Sequence, residues 1–570
     1  MCLLILKYHK EQQMRNKLFF LSVLAIFSFT TSGCDDDSDS SSDSSSDSSK
    51  VKATVLVQGS PVRGGANGVV FDQNNDLYIA SIMGRKIYRM DRETGDILQI
   101  YGTEQGVEGP DDLIIGPDGS IYWTSIFTGE IGRLTPEGEK TGQFLPPWVN
   151  PITFSADGRL FTALDFFGSG LYELDPEIIT PPRLIYPDIG LNGMSFGPDG
   201  LLYAPNIANG RLVSIDVDTA AIKTIAEGFQ VPATAKFDTQ GRLYTGEVPT
   251  GKVFRVDRQS GDKEIVGQIP FGIDSLALDS DDRLFVSNSH DGSIIEVLTD
   301  GSNRTVSSAG MIASGGVAIQ PRADGVSVFV ADVFSLIEFD SQTGEEISVE
   351  RDDLLPGGLT SPMTVSVDGD NLVLSSWFFP IVQVWNPNTN EVVEEYNDFA
   401  VPLNAIRFQN DLVVIDIGND HNTPQVILTS ATERTVLADA SDGLEVPVGM
   451  VAKDGNLWVS DRATGKILQI VNAGVQLYTP IEVASGLAFP EGIALESNKK
   501  MLVVESEAGR ISRINIATGK VSTVIEGLQL GGEAIPNTPP SFVFNDIAIA
   551  APNVFYVTSE IENVLYRITK

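Results

Sequence analysis

Asn67-Gly-Val-Val-Phe-Asp-Gln-Asn-Asn-Asp-Leu-Tyr-Ile (67–79) and Asn192-Gly-Met-Ser-Phe-Gly-Pro-Asp-Gly-Leu-Leu-Tyr-Ala (192–204) carry one pattern. Each opens on a polar residue, runs into an alternating apolar strand, turns, and returns in a second strand. Asp118-Gly119, Asp157-Gly158 and Asp199-Gly200 supply tight turns of the same kind, because Gly tolerates positive φ. A third strand follows, as in Lys86-Ile-Tyr-Arg-Met-Asp and Lys252-Val-Phe-Arg-Val-Asp, and then a fourth such as Lys223-Thr-Ile. Aligned four places before the last apolar position of the first strand, the pattern recurs at Asn67, Asp111, Asn150, Asn192, Ala233, Asp274, Gly315, Met363, Asn404, Val448, Glu491 and Asn545. The spacing stays between 39 and 48 residues until the last step, where Gly531 to Ser541 reads as an inserted loop. Four short strands at this period are the signature of β-propeller blades, and no sustained helical period follows Cys34. The sequence therefore predicts an all-β protein of twelve four-stranded blades.

Two tandem six-bladed propellers, 51–300 and 301–570, are the expected division. The last repeat stops after its third strand, Val564-Leu-Tyr-Arg-Ile, and a lone strand, Ala53-Thr-Val-Leu-Val, precedes the first repeat. Each ring would begin with an outer strand that completes its own last blade, with Arg304-Thr-Val-Ser-Ser in that part for the second ring. The alternative is one continuous closure, in which Ala53 to Val57 completes the final blade at Val564 to Ile568.

Residues 1–33 read as a secretory leader, with Met14 as an alternative start. Arg15 and Lys17 precede the apolar run Leu18 to Thr31, and Ser32-Gly33-Cys34 closes it. The run is too short to span a bilayer comfortably, which takes about 20 apolar residues. The motif resembles the lipobox of bacterial lipoproteins, which implies lipidation at Cys34 and a lipid anchor in the cell envelope, outside the cytoplasm. Residues 34–50 are almost entirely Asp and Ser after Cys34, a tether too polar to bury anything.

Removing residues 1–33 leaves 35 basic and 75 acidic residues, a charge near −40. Such a surface repels phosphate backbones and argues against a nucleic-acid partner. Cys2 and Cys34 are the only cysteines, and His290 and His421 the only histidines after the leader. Disulfides and His/Cys zinc sites are thereby excluded from the mature core, so a metal here would need oxygen ligands.

The start of a blade's first strand and the end of its second lie at one mouth of the ring. In the first ring this gathers Asn67, Asp111, Asn150, Asn192, Ala233 and Asp274, with Ser81, Ser125, Asp165, Asn206, Glu247, Asn288 and His290 around them. Amides and carboxylates in a funnel are the donors of a hard cation such as Ca²⁺. They also cap turns and hold ordered water, and both readings stand at this stage. The second ring's mouth holds Asn404, Glu491 and Asn545, interrupted by Gly315, Met363 and Val448, with Asp332, Asp416, Asp461, Glu505 and Glu560 nearby. Gly193-Met-Ser195-Phe-Gly197 spells GxSxG, but inside a strand, so Ser195 is no nucleophile. Asp279-Ser-Asp-Asp reads as a hairpin turn. Trp148, Trp377, Trp385 and Phe378-Phe379 suit blade packing better than a sugar-binding rim.

Pro-Asp-Asp-Leu-Ile-Ile-Gly-Pro-Asp-Gly (110–119) and Asn150-Pro-Ile-Thr-Phe-Ser-Ala-Asp-Gly-Arg-Leu-Phe (150–161) resemble the regucalcin/gluconolactonase propeller family. That resemblance implies six blades, a divalent cation held by Glu, Asn and Asp, a further Asn on the substrate, and lactone hydrolysis. It places Asn192 on the cation and Asn150, with Arg159 in the following turn, on the substrate. It would also put Glu where Asn67 stands and Asp where Ala233 stands. Here the acids are one blade away, at Asp111 and Asp274, and these become the candidate metal ligands, with Asn67, and the candidate catalytic base. Gly129-Glu-Ile-Gly-Arg-Leu-Thr-Pro-Glu-Gly-Glu is similar to virginiamycin B lyase, whose histidine base would fall to His290. Two functions follow: a cation-dependent lactone or ester hydrolase of the cell envelope, or a non-catalytic scaffold binding a protein or glycan.

Overall fold

The computed structural model describes residues 51–322, 325–430, 433–540 and 542–570, and the leader, Cys34 and tether expected from the sequence lie outside them. Within these residues the chain folds into twelve four-stranded antiparallel sheets, blades in sequence order, a β-propeller architecture. Only short 3₁₀ turns interrupt the strands, at Thr103–Gln105, Ile207–Asn209 and Ala440–Asp442. The first blade runs Val69–Phe71, Leu77–Ser81, Lys86–Met90 and Ile97–Tyr101.

Burial falls from the inside outward. Leu77–Ser81 is buried throughout, whereas Ile97–Tyr101 lies on the surface. Inner strands are covered on both faces because neighbouring blades pack against each: Tyr78, Ala80 and Ile87 meet Leu113, Ile121 and Trp123. The predicted hairpins form, with Gly119, Gly158 and Gly200 at φ of 82°, 84° and 78°. The glycine after each motif Asn has a different cause. A Cβ on Gly68 would strike the Asp111–Asp112 backbone, and one on Gly193 would strike Thr234, so only glycine lets the next blade approach.

A hydroxyl in a second strand ties each such blade to the backbone that opens the next. Ser460 Oγ donates to Glu491 O at 2.5 Å, and Thr124 Oγ1 donates to Asn150 O. The same bond joins blade 6 to blade 1, from Ser287 Oγ to Asn67 O at 2.6 Å. It also joins blade 12 to blade 7, from Thr558 Oγ1 to Gly315 O at 2.5 Å. Apolar cores follow the same two contacts, with Leu77 and Ile79 against Phe285, and Val328 and Val330 against Tyr556.

The outer strands exchange the roles expected of them. Asn303–Ser307, which contains Arg304, pairs with Ile294–Val297 and completes blade 6. Lys52–Val57 pairs with Val564–Thr569 and completes blade 12, the pairing anticipated for continuous closure. Chain entropy accounts for the first result: Asp300-Gly301 makes a tight turn, and a short loop closes at less cost than a distant strand.

The two sets of six blades meet through aromatic side chains. Phe127 of blade 2 packs against Trp148, Trp377, Phe378 and Phe542, with ring centroids 5.8 to 6.2 Å apart. Phe542 follows the inserted loop, which also buries Ile535 in this cluster and gives its Glu533 carbonyl to Arg85 at 2.7 Å. The insertion is thus a bridge between the two sets.

Candidate functional site

Asn67, Asp111, Asn150, Asn192, Ala233 and Asp274, the six opening positions of blades 1 to 6, line one cavity of about 90 Å³. The residues at second-strand ends do not reach it. They brace loops instead: Ser81 Oγ donates to Arg63 O, Asn206 Nδ2 to Gly190 O, and Asn288 Nδ2 to Phe271 O, at 2.7 to 3.0 Å. Glu247 accepts the Gln230 N–H at 2.9 Å in the same way.

The following residue in each blade forms the wall: Ile82, Ile126, Phe166, Ile207, Val248 and Ser289. This collar is apolar at five of its six places. Sequence reasoning stopped one residue short of it, although the repeat register points to it directly. Val333, Phe334, Leu354, Phe378, Phe379 and Phe542 roof the cavity from the second half of the chain. Phe378 and Phe379 therefore cover the site, Trp148 and Trp377 join the two halves, and Trp385 is blade packing.

The floor is electrostatically tense. Asp111 is 5% exposed, and its Oδ2 has no hydrogen-bond partner. Burial raises its carboxyl well above the usual range, and Asp274, Asp112 and Asp165 add to the effect. Asp274 is pushed up to about 7, by burial first and then by Asp112. Asn67 Nδ2 donates to Asp274 Oδ1 at 3.5 Å, and the Ser289 hydroxyl also faces that carboxyl. Two of the amide oxygens are already engaged: Asn67 Oδ1 accepts from Ile82 N at 3.1 Å, and Asn192 Oδ1 from Gly193 N at 2.7 Å. The Asn150 side chain has no protein partner among the described residues.

An orphaned, buried carboxylate oxygen beside a second crowded carboxyl and an uncommitted amide fits a hard divalent cation. The fit rests on Asp111, Asp274 and Asn150. Among the described residues, no group of three or more His, Cys, Asp or Glu side chains is arranged to hold a metal.

Arg159 is not brought to the site. It lies in the hairpin at the far end of its blade, donating to Glu173 at 2.7 Å and Asp218 at 2.9 Å and stacking on Phe161. A turn residue sits a whole strand away from its blade's opening residue, so proximity in sequence misled. His290 is no base either. Its Nε2 lies 2.9 Å from Asp352 O, its Nδ1 3.2 Å from Ser289 Oγ, and burial lowers it to about 3. Ser195 Oγ donates to Ala235 O inside a strand, and Asp279 closes a hairpin through the Asp281 and Arg283 N–H groups.

The second mouth is internally satisfied. Glu491 accepts from Arg462 Nε at 3.0 Å and from both the backbone and side-chain N–H of Asn545 at 2.8 Å. Asn404 Nδ2 donates to Val448 O at 2.9 Å. Asp332, Asp416 and Asp461 each hold backbone N–H groups of the preceding loop.

Comparison with known proteins points to the same part of the chain. Residues 108–314 match the family model described as the SMP-30/gluconolactonase/LRE-like region. Lactonase drp35 of Staphylococcus haemolyticus is 21% identical over 211 residues, 33% of this chain, which spans 64% of that lactonase's length. A gluconolactonase from Xanthomonas campestris is similar in structure with a TM-score of 0.35 and 16% identity, over 42% of this chain and 87% of its own. A calcium-binding regucalcin from Agrobacterium tumefaciens gives 0.34 and 17%, over 42% and 85%.

Proposed function

We propose that this chain is a cell-envelope hydrolase of lactones or related esters, anchored to a membrane through lipidated Cys34 and working in the cavity of blades 1 to 6. The observation that carries the reading is the meeting of Asp111 and Asp274 under one roof, with one buried carboxylate oxygen left unpartnered. The match over 108–314 and the likeness to a lactonase support the reaction class. We infer further that blades 1–6 and 7–12 are two tandem six-bladed propellers, supported by the hydroxyl bonds from blade 6 to 1 and from 12 to 7. A small-angle scattering profile with the wide bore of one twelve-bladed ring would refute that division.

A divalent cation, Ca²⁺ in this reading, would be held by Asp111, Asp274 and Asn150 and would supply polarisation of the scissile carbonyl and a more acidic water. Asp274, held ionised by a cation bound beside it, takes the proton of the attacking water. The Asn150 and Asn192 amides donate to the carbonyl oxygen as it gains charge. The acyl C–O bond then breaks, and the proton passes from Asp274 to the departing alkoxide, leaving a hydroxy acid. The roof keeps bulk water out and strengthens each of these contacts.

The saturated Arg462–Glu491–Asn545 network favours a second, non-catalytic role for blades 7–12, as the roof and as a platform for a protein or glycan. The test is metal content of the purified mature chain, followed by a lactone and aryl-ester screen with and without chelator, repeated on Asp111→Asn and Asp274→Asn. One tightly held ion and chelator-sensitive turnover, both lost in the variants, is the expected result. Metal-free protein without turnover overturns the hydrolase reading.

A further inference from the structure

Beside the cavity, and sharing Met83 and Phe542 with it as walls, lies a cleft of about 370 Å³ between the two halves of the chain. In a protein with 76 acidic and 39 basic residues, this cleft gathers Arg63, Arg85 and Lys86. Arg85 is fully engaged, with Glu108 at 2.7 Å and the Glu533 carbonyl at 2.7 Å. Arg63 and Lys86 are not. Both are half-buried, and neither makes an ion pair among the described residues. Arg63 gives only one long bond, to Ile561 O at 3.4 Å. Three acids border the cleft: Glu108 and Glu533 face Arg85, and Glu560 accepts the Gly532 N–H at 3.1 Å.

We propose that Arg63 and Lys86 form a carboxylate-binding subsite, which holds the acid group of a ligand whose apolar body lies in the neighbouring cavity. Neither cation has a carboxylate within ion-pair distance among the described residues, and a ligand acid group would give both a charge-assisted partner. Burial and the Arg63 charge both lower the Lys86 ammonium, as expected of such a pair. The apolar collar and roof suit a compact hydrocarbon or aryl body, and the floor of Asp111 and Asp274 offers a carboxylate no cation. The inference rests on the proposed hydrolase only for the origin of the carboxylate, as the acid product or as a group borne by the substrate. Binding itself needs neither turnover nor metal.

The test is calorimetric titration of the mature chain, in chelator, with phenylacetate, 3-phenylpropionate and 4-phenylbutyrate and with the matching neutral amides. At least one acid is expected to bind about tenfold or more tightly than its amide. Lys86→Gln and Arg63→Gln are expected to remove that preference and leave amide binding unchanged, and Lys86→Arg to restore it. Thermal midpoints of the variants separate loss of the subsite from loss of the fold. Equal binding of acid and amide by the wild-type chain, no binding of either, or a preference that survives both Gln variants overturns the proposal. Failure of hydrolysis in every screen leaves this result untouched, so the two readings fall separately.

Discussion

Phe127→Ala tests whether the two sets of six blades lean on one aromatic cluster. Phe127 is 8% exposed, and its ring meets Trp148, Trp377, Phe378 and Phe542 at 6.2, 6.1, 5.8 and 5.9 Å. Truncating a buried Phe to Ala costs about 3–5 kcal/mol, through lost transfer energy and the void left behind. One flank of this ring already borders the cavity, so fewer contacts are lost and the expected cost is near the low end, about 3 kcal/mol. Phe127→Leu keeps most of the volume and gives up the ring edges, for about 1–1.5 kcal/mol. Urea unfolding followed by tryptophan fluorescence reads the cluster directly, because Trp148 and Trp377 are part of it. In the Ala variant that transition moves to lower urea and separates from the far-ultraviolet circular dichroism of the blades. A shift worth less than about 1 kcal/mol, with coincident transitions, would refute the idea that this cluster couples the two sets.

Three further expectations concern charge. Burial lifts the Asp332 carboxyl to about 7 while the Ile312 and Ala313 N–H groups pull it down. The folded value lies above the ordinary 3.8, so its contribution is fully present below pH 3.8 and is lost as pH rises through 7. Paired urea titrations should show wild-type stability falling relative to Asp332→Asn between pH 4.5 and 7; a constant difference would contradict the sign. Glu491→Gln strands the Arg462 guanidinium, which is 13% exposed, and should cost about 3 kcal/mol while leaving metal content and turnover untouched. Arg159→Ala removes surface ion pairs with Glu173 and Asp218, at a cost of about 1 kcal/mol or less, and should leave ligand affinity unchanged by calorimetry.

The blade pattern was legible because propeller strands are set by local rules, alternation and Asp-Gly turns, repeated often enough to average out exceptions. The floor of the cavity was legible for the same reason, since register alone carries Asn67, Asp111, Asn150, Asn192 and Asp274 to one mouth. What pairs with what was not. Lys52–Val57 and Asn303–Ser307 are both outer strands with one side exposed, and nothing in their composition says which open edge each will take. The roof was illegible for another reason. Phe334, Phe378 and Phe542 lie in loops outside the strand pattern, and only the packing of the two halves brings them over a cavity they do not resemble.

Whether an acid in the register serves the fold or a ligand depends on one position in the preceding blade. Glu491 opens blade 11, and Arg462, the residue after the second-strand end of blade 10, neutralises it. The corresponding neighbour is Ile82 for Asp111 and Val248 for Asp274, so no cation from the preceding blade neutralises those carboxyls. The rule makes a strong prediction. Ile82→Arg places a guanidinium where Arg462 stands in the other half, and it should pair with Asp111 and bring that carboxyl back down toward the ordinary range. Desolvating a new ion pair roughly offsets its attraction, so the fold should change by no more than about 2 kcal/mol. Bound metal and any hydrolysis should vanish together while thermal unfolding stays cooperative. If Ile82→Arg retains its metal, Asp111 is not a ligand; if it unfolds where Ile82→Met does not, the collar tolerates no charge and the parallel with Arg462 fails.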